Sequence, residues 1–204
     1  MRQEILDAAR DLFVREGYDH VSIRKIAAKL EISPGSLYLH FDDKISIFEH
    51  LCRETFDRLS ARMKAIVDDP APALDRLRRA GRLYVEFGLE NPQHYMLTFV
   101  LGGRLAATPN TAEGDFSRIK AIYMTAGFEC LGRLHTMAEH AIAEGALRFH
   151  NPAEVTQILW SGLHGLTSNM ITKCDFPWIE RTRLVDSMVD VLLEGVRSRP
   201  TAQP

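Results

Sequence analysis

Eight histidines and three cysteines are the side chains of this 204-residue chain best able to hold a metal or attack a substrate, and their spacing supports neither role. Cys52, Cys130 and Cys174 stand far apart with no CxxC pair, which suits reduced thiols in a cytoplasm. His135 and His140 are five apart, HExxH is absent, and no Cys/His cluster has the spacing a zinc ion needs. No GxSxG, P-loop or dinucleotide fingerprint occurs either. No catalytic residue, metal or cofactor is therefore expected. What remains is recognition, and the segment ISPGSLYLHF is the place for it. Ser33, Pro34, Gly35 and Ser36 put small residues at the start of a short helix, so that this end can enter a DNA major groove about 12 Å wide.

Such a helix needs others behind it. Residues 2 to 16 place Ile5, Ala9, Leu12 and Phe13 on one face, the pattern of an amphipathic helix, and Gly17 supplies its stop. Ser22 caps a second helix carrying Ile23, Ile26, Ala27 and Leu30. After a tight turn, Ser33 caps the third, with Pro34 in the first helical position where its missing N–H costs nothing. Leu37 and Phe41 of this segment face inward. Three short helices with a turn of three or four residues between the second and third are what a helix-turn-helix requires.

Asp42 or Asp43 begins a longer fourth helix, whose apolar positions from Ile45 through Phe48, Cys52, Phe56, Leu59 and Met63 to Ile66 step by three or four up to the DDPAP break. Further helices are expected at roughly 73 to 90, 93 to 101, 115 to 145, 152 to 174 and 178 to 198. No convincing strand appears. The reading is an all-α chain of about nine helices, with a DNA-binding head over 1–44, a larger helical body over 45–199, and a disordered tail at 200–204.

Beyond these elements, ISPGSLYLHFDDK following SIRKIAAKLE resembles the signature of the TetR family of transcriptional regulators over residues 5 to 48. The resemblance implies a two-fold dimer that represses transcription until a small effector releases it. It also implies roles by position. Tyr38 and Lys44 would bond to DNA phosphates, with Ser22 and Arg24 doing the same on the other strand. Ser33, Pro34, Gly35, Ser36 and Leu39 would lie against base edges, and His40 near the backbone or a base. The alternatives are Tyr38 as a cover on the head's core and His40 as a passive helix-end residue. Lys25 and Lys29 are read as solvated. Only Met1 and Arg2 precede the helical pattern, so minor-groove contacts from a basic arm are not expected. Residues 1 to 50 hold seven Lys or Arg against nine Asp or Glu, which predicts modest non-specific affinity.

In the body, WSGLHGL resembles a TetR subgroup with a Trp-x-x-x-His-Gly element, matched by Trp160, His164 and Gly165. Apolar stripes on the last two helices, among them Gly162, Gly165 and Leu166 on one and Met188, Val191 and Leu192 on the other, suit a four-helix dimer contact. They suit closure of a single chain's core as well. Tyr84, Phe87, Tyr95, Phe99, Tyr123, Phe128 and Leu131, with Trp160 and His164, are candidates to line an effector cavity or to be ordinary core.

Composition is that of a globular protein, 46% hydrophobic and 25% charged, and a net charge of -2 means that any DNA-binding charge must be concentrated on one face. No apolar run of about 18 residues occurs, so no membrane span is expected, and the charged MRQEILDAARDLF start is not of signal-peptide type. The expected partners are double-stranded DNA, a small-molecule effector and a second copy, in the cytoplasm. A helical partner-binding or scaffolding protein with a DNA-binding-deficient head is the alternative, as is an activator.

Overall fold

The computed structural model describes residues 1–107 and 113–198. The expected 200–204 tail lies outside the described residues. Among those described there is no strand, and the chain is helical throughout: α1 Arg2–Glu16, α2 Ile23–Lys29, α3 Pro34–Tyr38, α4 Lys44–Val67 and α5 Ala73–Glu90 come first. Then α6 Pro92–Tyr95 runs through a π-helical turn, Met96–Gly102, into α7 Gly103–Ala107; α8 Glu113–Ile122 runs through a second, Tyr123–Gly127, into α9 Phe128–Ala143. Last come α10 Pro152–Thr172 and α11 Arg181–Val196. Counting each π-turn with the helices it continues gives nine helices among the described residues, the number expected.

Local chemistry explains the ends. Gly17 closes α1 at φ 85°, with its N–H donating to the Phe13 carbonyl at 3.0 Å. Ser22 and Ser33 cap α2 and α3 by accepting from the backbone N–H of Lys25 and Ser36. Asp43, rather than Asp42, caps α4: its Oδ1 accepts from the Ser46 N–H at 2.7 Å. Two expected boundaries move. The helix drawn at 93 to 101 continues to Ala107, and α11 begins at Arg181 rather than 178. In the second case Glu180 accepts from the N–H groups of Thr182 and Arg183, fixing the start, and the preceding FPWI is not helical, its Trp178 backbone N–H turning back to the Phe176 carbonyl at 2.7 Å.

The link from α2 to α3 carries strain. Glu31 has φ 56°, while its N–H and that of Ile32 return to the carbonyls of Ala28 and Ala27, a Schellman closure that favours glycine. At the end of α9 the same closure is made by Gly145, at φ 69°. Glu31→Gly is therefore expected to stabilise the protein by up to about 1 kcal/mol. Urea unfolding reads this, and a loss of stability would contradict it.

The chain divides into two compact units, one of Met1–Asp57 with Asn91–Phe128 and the other of Arg58–Glu90 with residues from Glu129 onward. In the first, α1 packs on α2, α6 and the first π-turn, and α2 on α3. Its core holds Ile5, Ala9, Phe13, Ile26, Ala27, Leu37 and Phe48, none exposed. Leu30, expected in this core, is only half-buried, because it is the residue at which α2 stops. In the second unit α5, α10 and α11 pack together through Leu77, Leu159, Leu163, Val185, Val189 and Leu193.

Candidate functional site

The third helix separates what it buries from what it displays within three consecutive residues. Leu37 is fully buried; Tyr38 is 54% exposed and Leu39 84%. Exposure of an apolar Leu39 to this degree costs the folded chain a burial worth about 1.5 kcal/mol or more, so it marks a surface rather than a packing position. Ser33, Pro34, Gly35 and His40 share this exposure, while Ser36 is half-buried with its hydroxyl 2.9 Å from that of Ser33. Ser22 is exposed at the start of α2. Arg24, two residues on, is exposed and makes no ion pair among the described residues.

The acidic balance of the head is partly used up internally. Lys25 pairs with Glu16 and Lys29 with Asp11, so these exposed lysines also tie α2 to α1. Asp7 takes Arg10 at 2.6 Å. Lys44 is half-buried: its ammonium donates to the Tyr18 carbonyl at 2.9 Å and lies 3.8 Å from the centre of the Tyr18 ring. That ring is stacked on Phe13 and edge-on to Phe48, so Lys44 closes the aromatic core that holds α4 to the head.

Arg118 of α8 grips the same corner. Its Nε and Nη2 donate to the two oxygens of Glu49, and Nη1 donates to Asp43 Oδ2 at 2.7 Å. Burial opposes ionisation of Asp43, but the Ser46 N–H and the Arg118 guanidinium together hold its carboxyl below the usual aspartate range.

The aromatic candidates fall into two sets. In the first unit Tyr95 lies 4.9 Å from Phe99, and Phe56 meets both Phe99 and Tyr123 edge-on at 5.4 Å. Here the two π-turns face each other: the Tyr123 hydroxyl donates to the Thr98 carbonyl and fills the space that a side chain on Gly102 would need. Cys52 and Thr98 are fully buried beside them, and the Thr98 hydroxyl, with no nitrogen or oxygen partner, lies against the weakly accepting Cys52 thiol. Burial pushes the Cys52 thiol up to about 12, so it is an inert apolar group here. Phe128, expected as lining, is instead 58% exposed, because the end of the second π-turn aims it outward.

In the second unit Trp160 stacks on His164 at 5.4 Å, and the Tyr84 hydroxyl lies 3.3 Å from His164 Nδ1. Phe87 is buried and Leu131 half-buried. Burial holds His164 below the ordinary histidine pKa. An unfolded chain then binds a proton that the native protein refuses, so stability is expected to fall as pH drops through about 6.5 until the native imidazole also protonates. Melting of His164→Gln against the parent between about pH 7 and about pH 5 tests this. Identical slopes would contradict it.

Of the dimer candidates, Leu166 is buried in its own chain, and Gly162 faces Leu192 of that chain so closely that a Cβ would come within 2.8 Å of it. These three pack within one chain, because α10 and α11 meet there. Met188 is half-buried, Gly165 has nothing within 4 Å of an added Cβ, and Val191 is 69% exposed. No helix of the described chain is long and apolar enough to cross a membrane.

The sequence reading missed Thr98 and Arg118. A buried threonine inside an apolar run gives no periodic signal, and the partners of Arg118 lie 69 and 75 residues away.

A three-helix head of this build defines a helix-turn-helix protein, and comparison with known proteins agrees. Residues 5–51 match the bacterial regulatory proteins of the tetR family, and residues 77–192 match the Tetracyclin repressor-like C-terminal domain. The nucleoid occlusion factor SlmA of Vibrio atlanticus is 34% identical over 72% of this chain and 69% of its own length. SlmA of Photobacterium profundum is 36% identical over 45% of this chain. There the matched part is about half the relative's length, 47%. The crystal structure of the transcriptional regulator FadR from Bacillus subtilis in complex with stearoyl-CoA superposes with a TM-score of 0.76 at 18% identity, covering 96% of this chain and 100% of that one. This chain belongs to the TetR family of bacterial regulatory proteins.

Proposed function

We propose that the protein is a homodimeric repressor that binds a near-palindromic operator and leaves it when a small, largely apolar effector binds. The display of Tyr38 and Leu39 beside a fully buried Leu37 is the observation that carries the DNA-reading part. Ser22, Arg24, Tyr38 and Lys44 set the register on phosphates, for which Lys44 must give up or share its bond to Tyr18. Ser33, Pro34, Gly35, Ser36, Leu39 and His40 face the bases. The dimer contact uses α10 and α11 around Gly165, Met188 and the exposed Val191.

For the effector, the aromatic set of Phe56, Tyr95, Phe99 and Tyr123 around the buried Thr98 hydroxyl, which meets no nitrogen or oxygen partner, supports an apolar ligand with a polar end. The stearoyl-CoA held by FadR is of that kind. Thermal-shift screening with fatty acyl-CoA esters and free fatty acids tests the assignment. A true effector at a hundred times its Kd adds about 2.7 kcal/mol of stability and releases operator DNA. If no such ligand does either, the effector reading is wrong.

The relatives named as nucleoid occlusion factors motivate a second reading, a DNA-bound protein that acts on a partner. A chromosome-wide map of bound sites separates the two: binding confined to promoters, with changed transcription on deletion, supports the repressor.

A further inference from the structure

We propose that Arg118 is the positioning residue that transmits the state of the paired π-turns to the DNA-reading head. The proposal rests on the DNA-binding reading above. Three observations carry it, all within one compact unit.

Arg118 holds the start of α4 from outside, through two bonds to Glu49 and one to Asp43, the residue that caps the helix. Lys44, next in sequence, holds the same point from inside through the Tyr18 carbonyl. The first turn of α4 is thus pinned between two cations. A planar guanidinium satisfying two carboxylates fixes direction as well as distance, which an ammonium would not.

Arg118 also sits in the helix that runs straight into the second π-turn. Five residues separate it from Tyr123, a rise of about 7.5 Å. Tyr123 joins that turn to the first by its bond to the Thr98 carbonyl. A π-turn accommodates one residue more than an α-helix does. Its conversion to α geometry therefore rotates α8 by about 100°, the angle of one residue, relative to Gly127 at the end of the turn, which packs against Phe56 of α4. Rotation of that size takes Arg118 off Asp43 and Glu49.

The π-turn pair is, finally, incompletely satisfied. Thr98 is fully buried, and its hydroxyl meets no nitrogen or oxygen partner, only the weakly accepting Cys52 thiol. An effector group that bonds it, or that displaces the Tyr123 hydroxyl, changes the relative stability of the two helical forms. The head then loses its outside anchor while the Tyr18–Lys44 contact keeps it folded.

Backbone hydrogen exchange and operator binding, measured on the full chain, test this without an effector. Arg118→Gln is expected to speed exchange at residues 46–50 by about tenfold while leaving residues 5–13 of α1 unchanged, and to weaken operator binding by about tenfold, the 1.4 kcal/mol scale of one lost coupling. Tyr123→Phe is expected to act on the same amides several-fold, and to add nothing in the Arg118→Gln background. Arg118→Lys, with one contact in place of a fork, should fall between. If Tyr123→Phe leaves those amides unchanged, or if its effect persists in full without Arg118, the transmission is overturned. If the parent protein forms no specific DNA complex, the DNA-reading account fails, and the exchange measurement still decides the joint.

Discussion

Phe48→Ala is expected to cost about 3 to 5 kcal/mol of stability, the range for emptying an aromatic site in a core. Phe48 is fully buried and meets Phe13 and Tyr18 edge-on, with ring centres 5.6 Å and 5.2 Å away. Its removal leaves a void on the underside of Tyr18, whose carbonyl Lys44 holds and whose ring Phe13 covers. The effect therefore reaches α1, the turn before α2 and the first turn of α4 together. Denaturant unfolding followed by far-ultraviolet circular dichroism reads the loss. A cost below about 1 kcal/mol, of the size seen for surface changes, would show that the trio does not hold the head.

The second large effect separates two kinds of DNA contact. Arg24 is exposed and without an ion pair among the described residues, so Arg24→Ala is expected to weaken binding to every sequence alike and to reduce the salt slope by about 0.9, one phosphate's worth. Leu39, 84% exposed on the reading face, should behave differently. Leu39→Ala is expected to spare binding to random DNA while removing about 1 to 3 kcal/mol of discrimination at a single base pair. Affinity for operator and for point-mutated operators across several salt concentrations makes the comparison. Equal losses on all sequences from both variants would refute the division.

What could be read from the sequence was what is decided locally. Gly17, Ser22, Ser33 and Pro34 each act within four residues of chain, and their roles in ending or capping helices follow from residue type. The π-turns were invisible because nothing in Met96–Gly102 or Tyr123–Gly127 distinguishes π from α geometry, and a glycine at the end of each reads as a helix stop or not at all. Apolar stripes name a face but not its occupant, so the pattern could not say that Gly162 and Leu192 meet within one chain. Ion pairs at long separation left no trace either. Arg118 with Asp43, and Lys29 with Asp11, are fixed by tertiary packing alone.

The central claim is that α3 reads DNA. Titration of the protein onto duplex from upstream of its own gene, against a scrambled duplex of equal length and over a range of salt, tests it most directly. The account predicts a complex of two protomers on a near-palindrome whose half-sites lie about 34 to 36 Å apart or a multiple of that. It predicts preference over the scrambled duplex by about a thousandfold or more. Equal affinity for both duplexes, persisting at low salt, would contradict it.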